Sequence, residues 1–173
     1  MLELTRLAML TIISGGQTGA DRAALDWAMA HGVAQDGWCP KGRWAEDGPI
    51  PPQYYLRETP SSRAAQRTEF NVRDSDATVI FSIKPDLTGG SLLTAQVARR
   101  LGKPLLHLAR EGSGIEVQGS GFRVQGSELA ERLRAFVREH QVSRLNVAGP
   151  RASQEPEIGE FVKQMLEQLR VES

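Results

Sequence analysis

Apolar runs and helical stretches alternate along the chain. Met9 to Ser14 (MLTIIS), Ala77 to Ile83 (ATVIFSI) and Pro104 to Leu108 (PLLHL) are nearly continuous in apolar residues. Strands buried on both faces of a parallel sheet read this way. Ser143 to Val147 (SRLNV) is a fourth candidate, and a short strand near Val33 to Trp38 makes five. Helical spacing predicts helices over Ala20–His31, Ser61–Phe70, Leu92–Leu101, Ser127–His140 and Glu155–Val171. Gly32 and Gly102 follow the first and third, where glycine commonly ends a helix, and Ser61 or Ser62 suits an N-cap. Strand, loop and helix recur in that order. Parallel strands need crossover helices, so the pattern predicts an α/β sandwich on a mainly parallel sheet of about five strands.

Residues 1–173 are expected to form one compact domain. Residues 1–8 would be a loose extension, and 111–126, rich in Gly and Ser, a flexible insertion. The apolar run after Arg6 is too short to span a membrane. It runs on into GGQTG, which favours a buried strand over a signal segment. Residues 37–60 contain five prolines and three glycines, so no regular structure is expected there. A loop this long inside a domain is often functional. Its two tryptophans and two tyrosines imply that it packs on something.

Composition narrows the function. With 40% hydrophobic residues, the chain can bury a core without disulfides or metals. Lys and Arg number 21, as do Asp and Glu, which argues against a nucleic-acid coat protein. The one cysteine, Cys39, cannot form an internal disulfide and suits a reducing cytoplasm. His31, His107 and His140 are too scattered to announce a metal site.

In an open parallel sheet, ligands bind beyond the carboxyl ends of the strands. Three loops of unusual composition fall there. In the first, Gly15, Gly16, Gln17, Thr18 and Gly19 precede a helix whose free N–H groups and partial positive charge suit phosphate. Asp21 would cap that helix or bind a ribose or base edge. In the second, Gly89, Gly90 and Ser91 precede another helix, with Thr94 about one turn inside. In the third, Asn146, Gly149, Pro150, Arg151 and Ser153 follow the last strand, and Arg151 could grip phosphate with two hydrogen bonds. Lys41 and Arg43 either close over an anion as a lid or are solvated. Arg67 and Asn71, four residues apart, share one helix face. No nucleophile–base pair stands out.

The stretches SGGQTGADRAALDWA, GWCPKGRWAEDG, RTEFNVRDSDATVIF, TGGSLLTAQVA and NVAGPRAS resemble the molybdenum carrier family. That family resembles a permuted branch of the superfamily that contains LOG phosphoribohydrolases and DprA. The resemblance implies a Rossmann-like three-layer sandwich, a homo-oligomer (dimer or tetramer), and a pocket for a small phosphorylated ligand. It implies molybdenum cofactor as that ligand, with the glycines at 15–19 and 89–90 on its phosphate. Molybdoenzymes would then receive the cofactor. The metal would arrive on the pterin dithiolene, so the protein would need no ligand set of its own. Two alternatives stand beside the carrier: a nucleotide-signal binder, and a LOG-like hydrolase of nucleotide N-glycosidic bonds. LOG enzymes carry a glutamate soon after their glycine motif. Here SLLTAQVA follows Gly90, with no acid before Glu111, although Arg67 could match the LOG arginine.

Overall fold

The computed structural model describes residues 9–112 and 126–170. The expectations for residues 1–8 and for most of 111–126 fall outside that range. A five-stranded sheet, ordered β2-β1-β9-β7-β8, forms the centre. Its members are β1 (Thr11–Ile13), β2 (Ala34–Asp36), β7 (Ala77–Ser82), β8 (Leu105–Ala109) and β9 (Arg144–Ala148), and every pairing is parallel. The helices are α1 (Ala20–Ala30), α2 (Ala64–Arg73), α3 (Gly89–Arg100), α4 (Gly126–Glu139) and α5 (Ile158–Glu167). No helix among the described residues is long and apolar enough to cross a membrane.

All six residues of β7 are buried, because both faces of the sheet are covered. Its alternation divides the core. Ala77, Val79 and Phe81 join the larger cluster with α1, α4 and α5, where Phe81 meets Phe161 edge-on at 5.9 Å. On the other side Val72 of α2 packs with Val97 and Ala98 of α3. Three layers result, α/β and Rossmann-like.

The last strand, β9, sits between β1 and β7. The chain leaves β9 for α5, in the layer of α1, and leaves β7 for α3, in the layer of α2. Adjacent strands whose connections part to opposite faces open a crevice at their carboxyl ends.

The stretch expected to lack regular structure contains four two-residue strands. β3 (Trp38–Cys39) pairs in parallel with β6 (Arg57–Glu58), and β4 (Trp44–Ala45) pairs antiparallel with β5 (Gly48–Pro49). The glycines and prolines do not prevent pairs this short. Helix α3 also begins earlier than the spacing predicts, so Gly89 and Gly90 form its first turn.

Candidate functional site

A cleft of about 280 Å³ opens at the β9–β7 crevice. Its floor is the end of β9, from Asn146 to Ala148, with Gly149 just beyond. One wall is α2, through Ala64, Arg67, Thr68 and Asn71; the opposite wall is the start of α3, from Gly89 to Ser91, with Leu93 and Thr94. Gly15, Gln17 and Asp21 close one end, and Arg151, Ser153 and Gln154 the rim.

The start of α3 offers bare backbone. Thr88 precedes the helix without capping it through its side chain. Among the described residues, the N–H groups of Gly89, Gly90 and Ser91 have no partner in the chain. No acidic residue lies in the first turn. A methyl group added at Gly90 would meet nothing within 4 Å. Ser91 is 6% exposed, and its hydroxyl has no hydrogen bond among the described residues. Thr94 hydrogen-bonds Gly90 O at 2.9 Å and steadies the turn. The Arg151 guanidinium has no hydrogen bond or ion pair among the described residues.

The first glycine loop differs. Gln17 N–H donates to Asp21 Oδ2 at 3.2 Å, and Thr18 N–H to Gln17 Oε1 at 3.0 Å. Ala20 N–H donates to Pro150 O at 3.2 Å. The chain's own oxygens take these three N–H groups. Gly16 turns away: a Cβ there would strike Leu56 and Ile50 of the 37–60 segment. A Cβ at Gly19 would lie 2.5 Å from Pro150 O, so this glycine lets the first and third loops touch. Gly149 likewise permits contact with Phe81 O and Ala20.

What the first loop contributes is a carboxylate. Asp21 is 8% exposed, with Arg67 Nη1 3.9 Å from Oδ2. Burial pushes its carboxyl above the usual value, while the Arg67 charge and the Gln17 N–H pull it down. Arg67 also donates to Gly15 O at 3.1 Å. Gly15 makes room for both groups, since a Cβ there would lie 2.7 Å from Arg67 Nη1 and 2.9 Å from Asp21 Oδ2.

Other residues expected at the site serve the frame. Asn71 lines the cleft, but its amide is engaged with the Trp38 backbone, accepting at 2.7 Å and donating at 3.0 Å. Asn146 donates to Thr78 Oγ1 at 3.1 Å across the β9–β7 pair. Lys41, Arg43, Thr18 and Pro150 stand outside the cleft lining, as do Gly16 and Gly19. Arg43 is neither a lid nor solvated. Its guanidinium donates to the carbonyls of Ile50, Pro51, Tyr54 and Leu56 and holds the 37–60 segment in shape.

Sequence reasoning missed Glu46 and Asp47 at the tip of the β4–β5 hairpin. Glu46 accepts from the hydroxyls of Thr18 and Ser153, and those bonds hold its carboxyl below the usual value. Asp47 pairs with Arg22. The hairpin therefore fastens the first loop to the third. The Glu-Asp-Gly turn was visible, but its partners are distant in sequence. Gln154 and Thr68 were missed too, because polar residues on helices and loops carry no signal of their own. Among the described residues, no three His, Cys, Asp or Glu side chains gather as a metal site.

A family model described as "Circularly permutated YpsA SLOG family" matches residues 12–170. The chain is similar to the "Putative molybdenum carrier protein" of Syntrophus aciditrophicus SB, known from a crystal structure. The two share 43% identity over 95% of this chain and 96% of that one, with a TM-score of 0.85. No protein of curated function matches the chain. Matched over nearly its whole length, the chain belongs to the circularly permutated YpsA SLOG family.

Proposed function

We propose that the cleft binds a phosphorylated heterocyclic ligand, and that this ligand is molybdenum cofactor, carried or stored rather than transformed. The observation that carries the reading is the bare first turn of α3. Three unpartnered N–H groups at a helix start suit a phosphate, and Arg151, whose guanidinium makes no hydrogen bond although its charge acts on Glu46, adds a cation at the rim. The relative's name supports the choice of cofactor. Gly89, Gly90 and Ser91 would hold the phosphate, with Arg151 across from them. Gln17, Asp21, Ser153 and Gln154 would face the polar ring system. When bound, the cofactor would bring its molybdenum on its own dithiolene. In this reading the protein is cytoplasmic, forms a dimer or tetramer, and hands cofactor to molybdoenzymes.

One observation favours a second reading, nucleotide binding with N-glycosidic hydrolysis. The carboxylate missing after Gly90 has a substitute in the cleft: Asp21, beside Arg67. A carboxylate so placed can stabilise oxocarbenium charge or activate water.

Mass spectrometry of small molecules released from protein purified from its own host, with molybdenum quantified in the same sample, tests both. Stoichiometric pterin and molybdenum are expected. A nucleotide without molybdenum would overturn the carrier reading, and incubation with that nucleotide would then be examined for free base.

A further inference from the structure

The cleft offers an anion site, yet it also holds a buried carboxylate. A receptor for phosphate alone gains nothing from a negative charge inside its pocket. Arg67, 3.9 Å away, offsets that charge and keeps Asp21 in place. The chain gives Asp21 few donors. Gln17 N–H supplies one hydrogen bond, at 3.2 Å, and Gly15 N–H acts on it too. The Ser14 hydroxyl also lies beside Asp21 and acts on it, but its single proton is directed to Val147 O at 2.9 Å. An ionised carboxylate accepts about four hydrogen bonds, and a buried one favours filling them. Asp21 therefore has acceptor capacity left, and it lines the cleft.

The sheet sets the distance. A phosphate on α3 would lie beyond the end of β7, whereas Asp21 follows β1, two strands away across β9. At the usual strand spacing this is roughly 10 Å. That span passes the sugar next to a phosphate and reaches the far edge of the heterocycle.

We propose that Asp21 recognises an amino-lactam edge, the adjacent ring N–H and exocyclic amino group that guanine and pterins share. Two neighbouring donors match the two oxygens of one carboxylate. Adenine and cytosine pair an amino group with a bare ring nitrogen, which would leave a lone pair facing Asp21. Hypoxanthine keeps the ring N–H but lacks the amino group. Arg67 is a positioning residue. The proposal rests on the cleft being the ligand site, and it names the chemical class of that ligand.

Equilibrium binding of GMP, IMP, AMP, 2′,3′-dideoxy-GMP and inorganic phosphate to the full chain tests it. GMP is expected to bind at least about tenfold more tightly than AMP, because an unmatched buried polar group is costly. IMP should fall between them, and dideoxy-GMP should match GMP. Asp21→Asn should shrink the GMP preference to about twofold, since its amide cannot accept at both atoms. If Asp21→Asn does not fold, the native series still decides. Equal affinity for GMP and AMP, with both weakened by Arg151→Ala, would overturn the edge recognition and leave the cleft reading intact. If dideoxy-GMP binds as weakly as AMP, Asp21 reads ribose hydroxyls instead. Binding of neither phosphate nor any nucleotide would remove both the site and this proposal.

Discussion

The chain has two glycine pairs near helix starts, Gly15–Gly16 ahead of α1 and Gly89–Gly90 in the first turn of α3, and they do opposite things. In the first loop the N–H groups of Gln17, Thr18 and Ala20 are occupied by Asp21, Gln17 and Pro150. At Gly89–Ser91 the N–H groups are bare. The first loop uses glycine to bring other parts of the protein close, and the second uses it to leave space. A glycine pair near a helix start permits either close approach or open space, and the tertiary neighbours decide which.

The sharpest way to expose this contrast is to add a side chain. Gly19→Val would force a Cβ to 2.5 Å from Pro150 O and 2.7 Å from Ala152 N, at a φ of +79°. Backbone cannot swing aside as a side chain can. The expected cost is about 3 kcal/mol or more, read as a lower denaturant midpoint. An unchanged midpoint would mean that the first and third loops do not touch.

Next comes the pair that the first loop presents. Arg67→Ala would leave Asp21 buried without its counter-charge, at a cost of about 2–3 kcal/mol. Adding Asp21→Asn should restore at least about 1 kcal/mol of that, as coupled neighbours do. Strict additivity in the cycle would show that the two groups do not interact.

The sheet was legible in the sequence because buried parallel strands are written locally, as at Ala77 to Ser82. The three loops were legible because their positions follow from strand and helix order. What lay beyond reach was who meets whom. Thr18 read as a ligand contact, yet it lies outside the cleft lining and its hydroxyl engages Glu46, 28 residues away; Gln17 lines the cleft and also takes the Glu46 N–H, 29 residues away. Arg43 read as a lid candidate, yet it binds four carbonyls of its own segment, which no periodicity signals. Asn71 sat on the expected face, but an amide that could serve a ligand can also serve a strand.

The third and second loops yield one smaller effect each. Arg151→Ala should weaken binding of the phosphorylated ligand about tenfold, the worth of one charge-assisted contact, with stability changed by less than about 0.5 kcal/mol. Titration calorimetry and thermal melting separate the two. Gly90→Ala should raise stability by roughly 0.5 kcal/mol, because alanine suits a helix better and no atom stands in its way. The same methyl group should weaken ligand binding by crowding the cradle. A Gly90→Ala protein that binds as well as the native one would move the phosphate off α3.

The smallest expected effect is in the pH dependence, where the loop carboxyls have opposite signs. Asp21 has a raised value in the folded state, against 3.8 ordinarily. Its contribution to stability is therefore fully present below 3.8 and is lost as pH rises through the folded value. Glu46, which ties the first loop to the third, has a lowered value, against 4.5 ordinarily. Its contribution is present above 4.5 and is lost as pH falls through the folded value. Glu46→Gln should flatten the acid side of a melting-temperature profile, and Asp21→Asn the side above pH 3.8. Glu46 is exposed, so its effect should be the weaker and should fade with added salt, while that of Asp21 persists. The reverse salt pattern would mean that the Asp21 carboxylate is open to solvent and that the hairpin tip is the buried contact.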